Sequence, residues 1–148
     1  MKLTTRLQYS VKAMLDLSLH SNQQPIAVRT IAERQQLPAP YLEKLLIKMR
    51  RAGLVISVRG AQGGYKLARL PQKISLGQIL LAVEGKESQS FVELEAGADR
   101  AEDWVSLCLW QRLNNRIQEA INGVTLADLY YDARSWQAAQ GEKSNFIV

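Results

Sequence analysis

The sequence predicts a mainly α-helical fold with one small β-hairpin, and three observations carry that reading. Apolar residues recur at steps of three and four through most of the chain, the period of helices buried on one side. Prolines fall between those runs or at the first turn of one. Residues 54–69 break the period with two short strand-like runs around the glycine-rich segment RGAQGG. At 148 residues and 47% hydrophobic, the chain suits one ordinary core with at most an appendage.

Taken in order, Thr4 and Thr5 are N-cap candidates for a first helix in which Leu7, Val11, Met14, Leu15 and Leu19 recur at helical spacing. It is expected to end between His20 and Asn22, ahead of Pro25. VRTIAERQQL is a short second helix burying Ile31 and Ala32 and stopping by Pro38. APYLEKLLIKMRRAGL is a third, opened by Pro40 and closed by Gly53. LVISV (54–58) and YKLAR (65–69) are the strand-like runs. SLGQILLAVEG, from Ser75, is a short amphipathic helix, and residues 86–101 are an acidic, irregular connection. A long helix follows from about Ala101 to Asn122. YYDARSWQAAQ continues a helix to about Gln140, and a polar tail closes the chain.

Charge divides the chain. Residues 1–73 hold 13 Lys and Arg against three acids, net +10, and residues 74–148 hold six against 11, net −5. A basic block of this size is the electrostatic footprint of a polyanion-binding surface, or simply a solvated lysine-rich face. On the third helix Leu42, Leu45, Leu46 and Met49 share one face. Pro40, Glu43, Lys44, Ile47 and Arg51 then point the opposite way, with Tyr41, Lys48 and Arg50 on the flanks. Two short helices joined around Leu37 to Ala39, the second with a basic outer face, form the helix-turn-helix pattern, in which the second helix enters the DNA major groove. A plain antiparallel helix pair has the same periodicity. After such a pair, a hairpin tipped by Arg59 and Gly60 reads as a wing: glycine lets backbone approach phosphate, and the narrow minor groove accepts an arginine. By itself the hairpin could also be an ordinary turn.

Other functions find no support. RGAQGGYKLA matches neither dinucleotide nor phosphate-loop spacing, and G-x-S-x-G and H-E-x-x-H are absent, so an enzyme is not expected. One cysteine, Cys108, excludes an intrachain disulfide, and with the single His20 leaves too few soft ligands for a one-chain zinc site. No apolar run approaches membrane-spanning length and MKLTTRLQYS has no signal-like apolar stretch, so the expected location is cytoplasmic, with no membrane partner. In the long helix Trp110, Leu113, Ile117, Ala120 and Val124 follow at three- and four-residue steps, the spacing of a helix-helix seam. That stripe packs either on a second copy or on its own domain.

Together LTTRLQYSVKAMLDLSL, IAERQQLPAPYLEKLLIKMRRAGLV, SVRGAQGGYKLAR and ISLGQILLAVEG resemble, in order and spacing, the Rrf2 family of bacterial transcription regulators. The likeness resumes at LW and VTLADL. It implies a winged helix-turn-helix DNA-binding domain over 1–84, a sensor-equivalent loop over 85–100, a dimerisation helix and C-terminal helical segment over 101–140, and a tail over 141–148. It also implies a homodimer on a palindromic operator in double-stranded DNA. By position, Pro40, Tyr41 and Glu43 read bases, Lys44, Lys48 and Arg51 contact phosphate, and Arg59 enters the minor groove beside Gly60. A carboxylate facing DNA repels phosphate but accepts from cytosine N4, which makes Glu43 a specificity element.

The best-known members of the family hold an iron-sulfur cluster on three cysteines and a further ligand. Aligned on CLW, this chain has Val92, Ala98 and Trp104 where the cysteines are expected and Leu107 where a histidine is. Asp16, His20, Glu93, Glu95 and Asp99 are the substitutes it offers. Clusters are chiefly thiolate-held, so no cofactor and no metal are expected. Cys108 reads as a packed residue, and constitutive DNA binding, control by a regulatory protein and control by a small-molecule effector are all left open. The rival readings are a cluster or redox sensor with non-standard ligands and a winged-helix protein-interaction module.

Overall fold

The computed structural model describes residues 4–90, 97 and 99–145. Val92, Glu93, Glu95 and Ala98 lie outside the described residues, as does the end of the expected tail, 146–148.

The first helix, α1 (Thr5–His20), starts at Thr4, whose hydroxyl accepts from the Leu7 amide at 3.2 Å. The same hydroxyl donates to Glu84, and Arg6 pairs with that carboxylate at 2.9 Å. Its buried face is not quite the expected stripe. Ala13, Leu17, Ser10 and Asp16 are buried beside Leu7 and Met14, while Val11, Leu15 and Leu19 are only half-buried. The buried Asp16 turns that face toward α2 (Val28–Gln35). Arg34 grips both its oxygens, Nε to Oδ2 at 3.0 Å and a terminal nitrogen to Oδ1 at 2.7 Å, and Gln35 Nε2 adds a bond to Oδ2 at 2.8 Å. A buried carboxylate is tolerated only when so paired. The bond to Asp16 holds the Arg34 guanidinium still further above its ordinary pKa.

Between α2 and α3 (Ala39–Arg51) the turn is made by Gln36, in the left-handed region at φ 55°, with Leu37 N–H bonded to Ala32 C=O at 2.9 Å. The end of α3 has the same form: Gly53 N–H bonds Arg50 C=O and Leu54 N–H bonds Met49 C=O, both at 2.9 Å, and Gly53 has φ 77°. This is the Schellman closure, with buried Leu54 and Met49 as its apolar contact.

The hairpin pairs β1 (Val55–Val58) with β2 (Gly64–Leu67), antiparallel, Val55 opposite Leu67 and Val58 opposite Gly64. Both strands are shorter than expected, but the hairpin gains a third rung. Ile26 bridges Tyr65 through two backbone bonds of 2.8 Å. A side chain at position 64 would run into the Ile26 carbonyl, so glycine is required there for close approach.

Helix α4 (Leu76–Glu84) carries a full capping box between Ser75 and Gln78. A short helical turn, Lys86–Gln89, opens the acidic connection. Then come α5 (Ala101–Gly123) and α6 (Leu126–Asn145), so Gly141 to Asn145 are helical where a tail was expected. Val124 lies beyond α5 in an extended conformation, and its carbonyl accepts from Leu76 N–H at 2.8 Å while Leu126 N–H bonds Ile74 C=O. Val124, the last residue of the expected stripe, therefore lies past the helix end, and its backbone ties the start of α6 to the start of α4. One core joins Met14, Leu17, Ile31, Leu42, Leu45, Leu46, Met49, Ile74, Ile79 and Leu126.

Candidate nucleic-acid interface

The outer face of α3 and the wing lie side by side because both are set on one core: Leu42, Leu45, Leu46 and Met49 below the helix, Val55 and Tyr65 below the hairpin. Residues 39–69 carry seven cations, Lys44, Lys48, Arg50, Arg51, Arg59, Lys66 and Arg69, and one acid, Glu43. Among the described residues none of these cations enters an ion pair. The four pairs found involve Arg6, Arg29, Arg34 and Arg100 instead. The face is therefore electrostatically unspent, the condition for binding a polyanion.

The expected contact residues divide into two groups. Pro40, in the first turn of α3, and Lys44 and Arg51 are exposed, as are Arg59 and Gly60 at the wing tip. The other three are already engaged. Tyr41 is half-buried with its ring edge-on to Tyr9, centroids 5.7 Å apart. Lys48 donates from Nζ to the Val83 carbonyl at 3.3 Å, placing its charge at the negative C-terminal end of α4. Glu43 accepts at Oε1 from the Tyr65 hydroxyl, 2.9 Å away on β2. Burial, chiefly, and that bond raise the Tyr65 pKa above its ordinary value, while the nearby Arg50 opposes the rise.

Sequence reasoning missed Arg50 and Tyr65 as members of this site. Arg50 had a signal, as one of the cations flanking the outer face. The Tyr65 contact had none, because nothing local in the sequence ties a strand tyrosine to a glutamate 22 positions earlier.

The second face belongs to α5, none of whose residues is fully buried. Its C-terminal part rests on α4 through Ile121 and Asn122. Trp110 and Leu113 are 42% and 41% exposed, Ala120 is exposed and Ile117 half-buried. Val105 (60%) and Leu109 (43%) extend the stripe toward the N-terminus, in register with Leu113 at four-residue steps.

The residues do not fit a thiolate-held cluster. Trp104 is exposed on α5 and Leu107 is half-buried one turn on, and neither side chain can ligate iron. Both Asp16 oxygens are taken by Arg34 and Gln35. His20 is exposed at the end of α1, and Cys108 is half-buried. Among the described residues no group of three His, Cys, Asp or Glu side chains converges. Nor is any helix long and apolar enough to cross a membrane.

A helix pair joined by a tight turn, followed by a two-stranded wing, defines the winged helix-turn-helix class of DNA-binding proteins. Within that class the Rrf2 family, described as an iron-dependent transcriptional regulator, matches residues 3–132, and the chain belongs to it. It is 57% identical over 148 residues to a Synechocystis protein named as an HTH-type transcriptional regulator, slr0846, covering 100% of both chains. It is 36% identical over 147 residues to the HTH-type transcriptional regulator IscR of Erwinia tasmaniensis, covering 99% of this chain and 89% of that one. Among solved structures it superposes on IscR of T. potens with a TM-score of 0.75 at 40% identity, over 93% of this chain and 91% of that one. It superposes on CymR, the global cysteine regulator of B. subtilis, with a TM-score of 0.76 at 32% identity, over 88% and 97%. The protein is thus an Rrf2-family helix-turn-helix transcriptional regulator.

Proposed function

We propose that this regulator binds a palindromic operator in double-stranded DNA as a homodimer, with α3 in the major groove and the wing in the adjacent minor groove. In this reading 1–84 is the DNA-binding unit, and 101–140 joins the two copies through Trp110, Leu113, Ile117 and Ala120. The observation that carries it is the pairing of two faces on one chain, a cationic one without ion pairs among the described residues and an apolar stripe on a helix that buries nothing fully. Pro40 and Glu43 are the base-reading candidates, Lys44 and Arg51 the phosphate contacts, and Arg59 with Gly60 the minor-groove probe. Tyr41 and Lys48 act from behind, as supports of α3.

The same reading has the protein work without an iron-sulfur cluster, supported by Trp104, Leu107 and the saturated Asp16. A small molecule or a partner protein then supplies the regulatory input. The test is selection of duplexes from a random-sequence library, followed by titration of the enriched sequence. An inverted repeat bound about 10³-fold or more above random competitor is expected. Equal affinity for both would overturn the reading in favour of a non-specific binder, and no affinity at all in favour of a protein-interaction module.

A further inference from the structure

Glu43 is the one acid among seven cations on α3 and the wing, and it is not there as a loose surface group. Its Oε1 is bonded to the Tyr65 hydroxyl, and Tyr65 is held on every side. The residue is 5% exposed within the core, its amide and carbonyl are both bonded to Ile26, and its strand position faces Ser57. The hydroxyl is therefore a fixed post projecting from the wing toward the recognition helix. A glutamate has among the largest side-chain entropies to lose on ordering, and here the protein has ordered it before any ligand arrives.

We propose that Tyr65 is a positioning residue for sequence reading: its hydroxyl holds the Glu43 carboxylate so that Oε1 is bonded inside the protein and Oε2 is presented to an exocyclic amine on a base edge. The chemistry selects bases that donate in the major groove, the N4 amine of cytosine or the N6 amine of adenine, and rejects the O6 and O4 acceptors of guanine and thymine. Among the described residues Oε2 takes no protein partner. Because the post stands on β2 and the carboxylate on α3, the bond also locks the two DNA-facing elements into one unit. The inference rests on operator binding through α3, and its test separates the two.

Wild type, Tyr65→Phe and Glu43→Gln are each used to select from a random-sequence duplex library at one salt concentration, and each enriched pool is sequenced. Tyr65→Phe keeps the ring and its packing. It is expected to leave the overall motif in place while lowering base discrimination about 5- to 20-fold at one position per half-site, the position Glu43→Gln also relaxes. The double variant is expected to relax that position no further than Glu43→Gln alone. Whether the wild-type base there is cytosine or adenine names the amine that is read. An unchanged Tyr65→Phe motif overturns the proposal, as does loss spread evenly over all positions, which would mark Tyr65 as merely structural. Should Tyr65→Phe fail to fold, Glu43→Asp withdraws the carboxylate from the post without touching the wing core, and the same position must relax. A wild type that enriches no motif would instead overturn operator recognition itself, a result distinct from an intact motif indifferent to Tyr65.

Discussion

Arg59 has no ion-pair partner among the described residues and stands at the wing tip beside Gly60, where a side chain would meet open space. Removing it costs no fold contact, so its loss reads out on DNA alone. Arg59→Ala is expected to weaken operator binding by about 1–3 kcal/mol with the melting temperature unchanged, measured by titration at fixed salt. An unaltered titration would remove the wing from the interface. Asp16 behaves in the opposite way. Its truncation leaves Arg34 Nε and a terminal nitrogen without their carboxylate, and because Arg34 itself reaches solvent, Asp16→Ala is expected to destabilise the fold by about 1–3 kcal/mol in urea. Tyr65 adds a pH term. Its hydroxyl is held above the ordinary tyrosine value of about 10 by burial and by Glu43, against the opposing charge of Arg50. Folding therefore favours the neutral phenol. That stability is complete below the unfolded value and disappears as pH rises through the raised one. Thermal melting followed from pH 8 to 11 should fall more steeply for wild type than for Tyr65→Phe.

At the scale of elements, the local punctuation decides most boundaries. Pro40 and Gly53 bracket α3 because their effects act within a turn of where they stand, and they were legible for that reason. What was illegible depends on distant chain. Nothing near Gly64 announces that the Ile26 carbonyl occupies the place of its missing side chain. Val124 continues a helical period by spacing, yet a backbone bond to Leu76 draws it out of the helix. On the candidate face the exposure of Lys44 and Arg51 follows from helical angle and that of Arg59 from its place in the glycine-rich turn, whereas the engagement of Lys48 with α4 and of Glu43 with Tyr65 has no local signal. Gln36 offers a direct test of the turn between α2 and α3. It is exposed and holds a left-handed conformation that glycine adopts without steric cost. Gln36→Gly is expected to raise stability by about 0.5–1 kcal/mol in chemical denaturation, the cost of a side chain in that conformation less the entropy glycine loses on folding. A loss of stability would mean that the Gln36 side chain contributes more than its backbone strain costs.

For the whole molecule, the decisive quantity is how many copies act together. One protomer presents a single α3, and a single recognition helix reads only one half-site; a two-fold pair reads two, separated by about one turn of DNA, and so demands a palindrome. The apolar stripe on α5, Val105, Leu109, Trp110 and Leu113, is the surface that can supply such a partner, since none of its residues is fully buried among the described residues. A glutamate at Leu113 would place like charges face to face across a two-fold axis while leaving the core around Met14 and Leu46 intact. Leu113→Glu is therefore expected to convert a dimeric sedimentation mass to a monomeric one at micromolar protein. Its operator affinity should fall at least about 10²-fold while helical content is kept, as half the contacts and half the released counterions are lost. The salt dependence supplies an independent reading of the same event. If Lys44, Arg51 and Arg59 each neutralise one phosphate in both copies, the expected logarithmic slope for wild type is about −5, and it should halve in the monomeric variant. A dimer that survives Leu113→Glu would move the seam off α5. A monomer that keeps the full slope would show that one protomer already makes all the contacts here divided between two.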